Sequence, residues 1–121
     1  MKLSSTEIGK KAEQKALIFL EKRGLKILEK NYRSALGEID LIMQDKDTTV
    51  FIEVRSRKNN SKLDAIETID QRKTKKIIQT SQQYLQNAKK STSLYYRFDV
   101  ISIHGDIEDK NIEWIKNAFD A

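Results

Sequence analysis

Two segments in the first half of the chain are apolar runs interrupted by an acid, and this pattern predicts two neighbouring strands. The segments are 37–42 and 51–55, and both are rich in Ile, Leu, Val and Phe. Side chains alternate between the two faces of a strand, so Ile39, Leu41 and Met43 should share one face. We expect the wholly apolar faces to be core and the acids to lie on the opposite faces.

A polar loop between these strands predicts a hairpin. If the hairpin is symmetric about Lys46–Asp47, Gln44 lies opposite Thr49 and, counting outward, Asp40 lies opposite Glu53. Like charges placed directly opposite each other destabilise a strand pair. We therefore expect a cation, a shared proton or a basic neighbour to offset the repulsion between the two acids.

The remaining pattern predicts a mixed α/β chain. Helices are predicted over 4–23 and from about 64, more firmly from 70, to 89; strands are predicted over 25–32 and 94–103; and 111–119 fits either a strand or a short helix. A helix between the third and fourth strands suggests a crossover on one face of a single sheet.

Three charged residues lie where two interpretations remain open. Glu13 falls inside the apolar stripe of the first helix, either as a core-edge acid bridged to an arginine or as a functional group. Lys73 lies on the edge of the inner face of the second helix, where it either extends its amine into water or reaches toward the acidic strands. Arg33 is either a structural counter-ion or a phosphate contact.

Composition excludes several classes of site. The chain has 121 residues, which predicts one domain, and it has no cysteine and a single histidine, His104. Thiolate sites are excluded and an imidazole zinc site nearly so. A serine triad would need His104, which has no obvious partner at a useful spacing. No stretch has the length of a membrane span, and we expect a soluble cytoplasmic protein.

The positive charge is concentrated in one segment. The net charge is +5, and residues 55–76 hold eight basic and three acidic residues, which is the whole excess. A basic segment directly after an acidic cluster favours a polyanion partner, most simply nucleic acid. The alternative is a solvated basic face that binds nothing.

Carboxylates without histidine or cysteine favour a hard cation with oxygen ligands. Asp40 and Glu53 are the candidate ligands of Mg²⁺ or Mn²⁺, and Glu13 or Glu38 is placed to hold a water. Beside a basic surface, the natural substrate is a phosphodiester. The alternative is a plain salt-bridge network between these acids and the nearby arginines, Arg33, Arg55 or Arg57.

Several sequence blocks together resemble a known family. They are Gly9 with Glu13, then 31–33, 37–42, 51–57, 97–100 and 114–119. This set resembles the bacterial YraN family, an uncharacterised family placed among the restriction-endonuclease-like nucleases. The resemblance covers nearly the whole chain. It implies a three-layer α/β/α restriction-endonuclease-like fold with a mixed central sheet, shared with archaeal Holliday-junction resolvases.

The resemblance also implies roles for individual residues. Asp40 takes the position of the nuclease Asp, Glu53 that of the Glu, and Glu13 that of the helical acid. Arg55 stands where the nuclease motif has lysine, and an arginine stays protonated and cannot act as a base. An amine from Lys73 or Lys58 could stand in. The candidate nucleic-acid contacts are Arg33, Arg57, Lys58, Lys73 and Lys76.

Three functional hypotheses follow for residues 1–121, interpreted as a single endonuclease-like nucleic-acid-binding domain. The first is a metal-dependent nuclease acting on structured or branched DNA. The second is a non-catalytic nucleic-acid-binding module with a relic nuclease site. The third is a protein-interaction or structural role without nucleic acid. DNA is favoured over RNA, and the resolvase resemblance implies a homodimer.

Overall fold

The structure is a computed structural model, and it describes residues 4–57, 71–87, 95–105 and 111–120. The chain forms α1 (Ser5–Glu21), β1 (Lys26–Ser34), β2 (Gly37–Asp45), β3 (Thr48–Arg57), α2 (Gln71–Asn87), β4 (Tyr95–His104) and β5 (Ile112–Phe119). The predicted order of elements is confirmed, and the last element is a strand. The part of the predicted second helix before residue 71 lies outside the described residues, as do Lys58 and the side chain of Arg57.

One five-stranded sheet holds every strand in chain order, β1-β2-β3-β4-β5. Neighbouring strands are antiparallel except β3 and β4, which are parallel. A parallel pair needs a crossover connection, and the connection between β3 and β4 contains α2. The sheet is therefore mixed, as expected.

The two helices pack on different hydrophobic clusters of this sheet. The α1 cluster joins Ala16 and Leu20 of the helix to Leu41, Val50 and Ile52 of the sheet. The α2 cluster joins Ile77 of the helix to sheet residues that include Ile42, Phe51 and Phe98. Each large apolar side chain buried in this way stabilises the fold by roughly 1.5–3 kcal/mol. The three-layer α/β/α arrangement is confirmed.

Local signals in the sequence explain both ends of α1. The hydroxyl of Ser4 accepts a hydrogen bond from the backbone N–H of Glu7 at 3.2 Å, which caps the first turn. Gly24 has a φ of +95°, a left-handed conformation that glycine adopts without strain and that ends the helical path. The helix ends at Glu21, two residues earlier than predicted.

The predicted register of the β2–β3 hairpin is confirmed. Gln44 pairs with Thr49, and Lys46 takes a positive φ of 56° in the turn. Pairing continues to Leu41 and Ile52 and ends there, one pair before Asp40 and Glu53. The register thus places the two acids directly beyond the last paired residues.

The predicted alternation in β2 is wrong at one residue. Leu41 and Met43 belong to the α1 cluster, whereas Ile39 belongs to the α2 cluster. The regular alternation breaks at Asp40, where the pairing with β3 ends and the carboxylate receives the backbone N–H of Val54. The face opposite Leu41 is also core rather than purely acidic, because Ile42 is buried in the α2 cluster.

A buried acid anchors the edge strand β5. Asp99 is inaccessible to solvent and accepts hydrogen bonds from Arg97 Nε at 3.1 Å, Trp114 Nε1 at 2.9 Å and the backbone N–H of Asn117 at 3.0 Å. Arg97 also donates to Asp45 at 2.9 Å. A buried carboxylate is tolerated when it is paired in this way. We therefore assign Asp99 a structural role.

In the described residues, no helix is both long enough and apolar enough to cross a membrane.

Candidate active site

Asp40 and Glu53 lie where β2 and β3 separate. Glu53 is 8% exposed, and Asp40 is half-buried. Asp40 Oδ2 accepts a hydrogen bond from the backbone N–H of Val54 at 2.8 Å, which fixes its carboxylate against the end of the ladder. The two acids, one from each strand, therefore lie side by side where the strand pairing ends.

Burial and the neighbouring acids both disfavour the charged form of Asp40. Burial, followed by the charge of Glu53, raises the pKa of Asp40 to about 7 from its ordinary 3.8. The hydrogen bond from Val54 acts in the opposite direction, and the charges of Glu13 and Glu38 raise the pKa further. The expected like-charge cluster is therefore present, and its negative charge is only partly balanced.

Two basic side chains flank Glu53. Lys73 Nζ, from the first turns of α2, lies 2.7 Å from Glu53 Oε1. The interpretation of Lys73 as a lysine with its amine only in water is therefore wrong, because the amine forms an ion pair with a buried carboxylate. Arg55 Nε lies 3.6 Å from the same oxygen, which is an ion-pair distance but too long for a hydrogen bond.

Glu13 reaches the site from α1 and is held by Asn31. With the side-chain amide of Asn31 oriented to match donors with acceptors, it donates to Glu13 Oε1 at 2.9 Å and to Glu38 Oε1 at 3.3 Å. Burial raises the pKa of Glu13, and the Asn31 hydrogen bond opposes that rise. Arg33 acts on Glu13 through its charge only, so the partner of this acid is an amide rather than the arginine considered from the sequence.

Asn31 is a site residue that the helical and strand patterns did not single out. It has a positive φ of 50°, which asparagine tolerates better than most residues. This conformation lies within β1 and close to the bulge between Ile27 and Glu29. Side-chain contacts between α1 and β1 depend on the fold and leave no periodic signal in the sequence.

The predicted basic contacts divide into three groups. Arg33 is highly exposed and lies 3.4 Å from Glu38 Oε1, and Lys73 is paired with Glu53. Lys76 is exposed on α2 close to Gly37, where β2 begins. Arg57 is the last residue of β3, and its side chain lies outside the described part of the structure. The whole of Lys58 lies outside it as well.

His104 has partners that the sequence spacing did not reveal. Ser102 Oγ and His104 Nε2 are 3.2 Å apart and share a hydrogen bond, and Glu113 Oε2 lies 3.7 Å from the same nitrogen. The fold therefore gives His104 partners on β4 and β5 that were not obvious from the spacing in the sequence. A catalytic triad is still excluded, because it uses opposite ring nitrogens for the serine and the acid, and because Ser102 is inaccessible to solvent.

Comparison with known proteins places this chain in a family. The model of the uncharacterised protein family UPF0102 matches residues 12–103. This chain belongs to family UPF0102. A UPF0102 protein of Nitrosomonas eutropha is 49% identical over 119 residues, covering 98% of each chain. One from Pseudomonas syringae is 41% identical over 116 residues (95% and 94%), and one from Vibrio parahaemolyticus is 42% identical over 115 residues (95% and 93%).

UPF0102 is the YraN family that the sequence blocks resemble, so that recognition is confirmed. The matched segment contains Glu13, Asp40, Glu53 and Lys73, and it ends one residue before His104. The site therefore lies within the part of the chain that defines the family, whereas Glu113 lies outside it.

The donor set of this UPF0102 protein fits a divalent cation in part. The carboxylates of Asp40 and Glu53 are hard oxygen donors, and burial together with the charge of Glu53 raises the pKa of Asp40, so a cation beside Asp40 would favour its charged form. In 4–57 and the other described ranges, no group of three or more His, Cys, Asp and Glu side chains is arranged to hold a metal ion. Any ion at the pair would therefore take its other ligands from water or substrate, as magnesium commonly does.

Proposed function

We propose that this UPF0102 protein binds nucleic acid and hydrolyses a phosphodiester bond of structured or branched DNA with the help of Mg²⁺ or Mn²⁺. The observation that carries the proposal is the raised pKa of Asp40 beside Glu53. A protein that only needed stability would not keep two partly buried acids against each other, because the repulsion costs free energy. A site that receives a cation with its substrate explains the arrangement, and perturbed carboxylates of this kind cluster at functional sites.

The residues around the carboxylate pair would have different roles in binding the ion and the phosphate. Asp40 and Glu53 would hold the ion, and Lys73 Nζ, 2.7 Å from Glu53 Oε1, would orient that carboxylate and offer a positive charge to the phosphate. Glu13, held by Asn31, would orient a water beside the pair. A divalent cation bound there supplies charge that stabilises the phosphoryl group as negative charge develops on it.

Lys73 can also replace the motif lysine, whose position in this chain is occupied by Arg55. The nuclease motif has a lysine two residues after the glutamate, and this chain has arginine there. The structure brings the ammonium group of Lys73 to the same glutamate from α2. The amine that the strand lacks is therefore available from the crossover helix.

The basic surface supports nucleic acid as the partner. Exposed Arg33 on β1 lies 3.4 Å from Glu38, and Arg72, Lys75 and Lys76 add exposed positive charge on α2. Phosphate backbones are bound through such groups, with binding that weakens as salt rises. The preference for branched DNA over RNA follows from the resemblance to the resolvases.

Cleavage of purified DNA tests the proposal. Wild-type protein is incubated with a labelled four-way DNA junction in Mg²⁺ or Mn²⁺, beside Asp40→Asn and a control, Asp47→Asn, whose acid lies exposed in the β2–β3 turn. We expect Asp40→Asn to lose cleavage by about 100-fold or more, because the removed charge acts on the transition state. The control should cut like the parent. Equal cleavage by parent and Asp40→Asn would place the activity elsewhere and reject the proposal.

A second candidate function is a nucleic-acid-binding module whose nuclease site has lost its activity. The observation that favours it is that Lys73 and Arg55 both lie beside Glu53, so that basic groups already neutralise part of this carboxylate. This module would bind DNA in a salt-sensitive way and cut no substrate with either metal. Gain of cleavage in Arg55→Lys would identify the missing group, and metal-dependent cleavage by the parent would exclude this candidate.

A further inference from the structure

A row of polar side chains crosses three strands next to the carboxylate pair. In the parallel β3–β4 ladder Arg55 lies opposite Ser102, and in the antiparallel β4–β5 ladder Ser102 lies opposite Glu113. Residues opposite each other in a ladder share a face of the sheet. His104, two residues after Ser102, extends the row on the same face, and Glu53, two residues before Arg55, connects it to the carboxylate site.

This row lies at the carboxyl end of the parallel strand pair. β3 ends at Arg57 and β4 at His104, and the residues of the row are among the last four of each strand. Ligands of α/β proteins bind outside the carboxyl ends of parallel strands, since the connections to the helices leave a crevice there. The position of the row is therefore one where a ligand is expected.

Arg55 brings unsatisfied hydrogen-bond donors to the row. Its Nε and Nη2 are buried and have no hydrogen-bond partner among the residues that the structure describes. The nearest carboxylate oxygen, Glu53 Oε1, is 3.6 Å from Nε. Leaving a charged donor buried without an acceptor costs free energy. The side chain as a whole is 23% exposed, so the guanidinium group lies at the edge of the solvent, and a phosphate that displaces the atoms covering Nε and Nη2 would satisfy both donors.

His104 adds a second group that can bind an anion, and the buried Ser102 positions its ring. The hydroxyl and the imidazole already share a hydrogen bond of 3.2 Å, which fixes the ring over the end of β4. His104 is 21% exposed, so its ring can offer an N–H to an anion, and Glu113 Oε2 lies 3.7 Å from Nε2. Glu113 is itself 61% exposed, so water screens its repulsion of a bound phosphate.

We propose that Arg55 and His104 form a second subsite that binds a phosphate group of the nucleic-acid backbone, next to the phosphate at Asp40 and Glu53, with the buried hydroxyl of Ser102 holding the imidazole ring in place. The inference rests on the proposed function, since it gives the same substrate a second contact. In this arrangement Arg55 neutralises the neighbouring phosphate, while the carboxylate pair and Lys73 act on the bond that is cut. An arginine in place of the motif lysine then has a purpose, because its planar group suits phosphate recognition.

The single histidine makes this subsite directly observable. His104 is the only histidine of the chain, so its ring gives one set of imidazole NMR signals. The ring signals are recorded without metal while a 5′-phosphorylated thymidine dinucleotide is added, and again with inorganic phosphate; sodium chloride at matched ionic strength serves as the blank. We expect both phosphate compounds to shift the signals in a saturable way and sodium chloride not to.

Variants locate the phosphate. Arg55→Gln should weaken dinucleotide binding about tenfold or more, the loss expected for one charge-assisted hydrogen bond. His104→Gln, followed through the backbone signals of β4, should weaken binding in the same direction. The matched control is Lys116→Gln, which removes an exposed cation on the opposite face of β5, where Lys116 lies over the ring of Trp114. That control should leave dinucleotide binding unchanged.

The outcomes separate this inference from the proposed function. No saturable shift of the His104 signals, or equal binding by the parent, Arg55→Gln and His104→Gln, overturns the subsite even if the protein cuts DNA in a way that depends on Asp40. A saturable shift in the parent, with dinucleotide binding weakened in both variants, supports the subsite even if no substrate is cut, because the measurement needs neither metal nor turnover.

Discussion

At the scale of single residues, the site depends on how the carboxyl group of Asp40 is held. The backbone N–H of Val54 fixes one of its oxygens, while burial and Glu53 disfavour its charge. These effects make Asp40 costly to keep ionised in the folded protein. Its protonation therefore links the stability of the fold to pH.

The pH dependence of stability follows from the sign of this shift. The pKa of Asp40 is about 7 in the folded protein and near 3.8 when unfolded, so the folded state binds more protons between these values. The stability that protonated Asp40 contributes to the fold is fully present below pH 3.8 and is lost as the pH rises toward 7. Asp40→Asn, which keeps an acceptor for Val54, should therefore be more stable than the parent at pH 8 by about 1–3 kcal/mol.

Thermal unfolding from pH 4.5 to 8.5 measures this effect. The difference between Asp40→Asn and the parent should grow as pH rises and level off above pH 7, whereas Asp47→Asn should show no such trend. A difference that is constant across the range would mean that Asp40 has an ordinary pKa.

Lys73 is the second residue whose role can be measured alone. Lys73→Met keeps most of the apolar stem but removes the ammonium group from Glu53, leaving a carboxylate that is only 8% exposed with Arg55 as its remaining basic neighbour. We expect a loss of about 1–3 kcal/mol in the free energy of unfolding and a fall in kcat of about tenfold or more.

The matched control for Lys73 is Lys10→Met, an exposed lysine of α1. Urea unfolding and single-turnover cleavage should leave this control close to the parent. Parent-like stability and kcat in Lys73→Met would show that the ammonium group is dispensable.

Sequence patterns predicted the residues of the site better than their contacts. The strand pattern and the hairpin symmetry were enough to place Asp40 and Glu53 together, because register in a short hairpin is set locally. The amide of Asn31 and the ion pair of Lys73 join residues 18 and 20 positions away from their partners, in other elements. Such contacts depend on how helices settle on the sheet, and no local periodicity reports them.

At the scale of the elements, the position of α2 depends on Gly37. A Cβ atom at this residue would lie 2.9 Å from Thr80 Oγ1 and 3.5 Å from Lys76 Cβ. The Thr80 hydroxyl donates to Lys76 O at 2.7 Å and the residue is fully buried, so it cannot simply rotate away. The helix that carries Lys73 therefore rests directly on the start of β2.

Gly37→Ala should push α2 away from β2. We expect the free energy of unfolding to fall by about 1–3 kcal/mol, the usual cost of overpacking, with cleavage impaired because Lys73 moves with its helix. Gly9→Ala is the matched control: no atom of the described residues lies within 4 Å of its Cβ position, and alanine favours a helix by up to about 1 kcal/mol. Urea unfolding that finds Gly37→Ala as stable as the parent would contradict the close approach.

The elements themselves were largely predictable, with two informative exceptions. The long apolar runs of β2, β3 and β4 identify strands, whereas 112–119 is short and only partly buried, so its pattern fits helix and strand alike. It is a strand because it pairs with β4, and hydrogen bonds from Trp114 and Asn117 to Asp99 attach it to that strand. The face change at Asp40 could not be foreseen either, because it arises where a ladder ends.

At the scale of the whole molecule, positive charge should guide the substrate to the site. The excess charge of the chain equals that of residues 55–76, and the described part of this segment includes the exposed Lys75 and Lys76 of α2. Each lysine that contacts a phosphate adds to the salt dependence of binding through the release of counterions.

This charge makes a quantitative prediction. The double variant Lys75→Gln, Lys76→Gln should bind a DNA junction more weakly and lower the slope of log K against log salt by about 2. Lys10→Gln, Lys11→Gln on α1 changes the net charge equally and should leave the slope near that of the parent. Fluorescence anisotropy titrations between roughly 50 and 300 mM salt measure the slopes of both double variants. Equal slopes in both double variants would mean that α2 does not contact the backbone.

The most direct test of the account is to look for the cation that the paired acids are proposed to hold. Crystals of the parent and of Asp40→Asn are soaked in Mn²⁺, and anomalous difference density is calculated at the manganese edge. We expect a peak between Asp40 and Glu53 in the parent that is absent from Asp40→Asn. No peak at this position in the parent, with the Lys73 ammonium still on Glu53, would contradict the claim that the site binds a divalent cation.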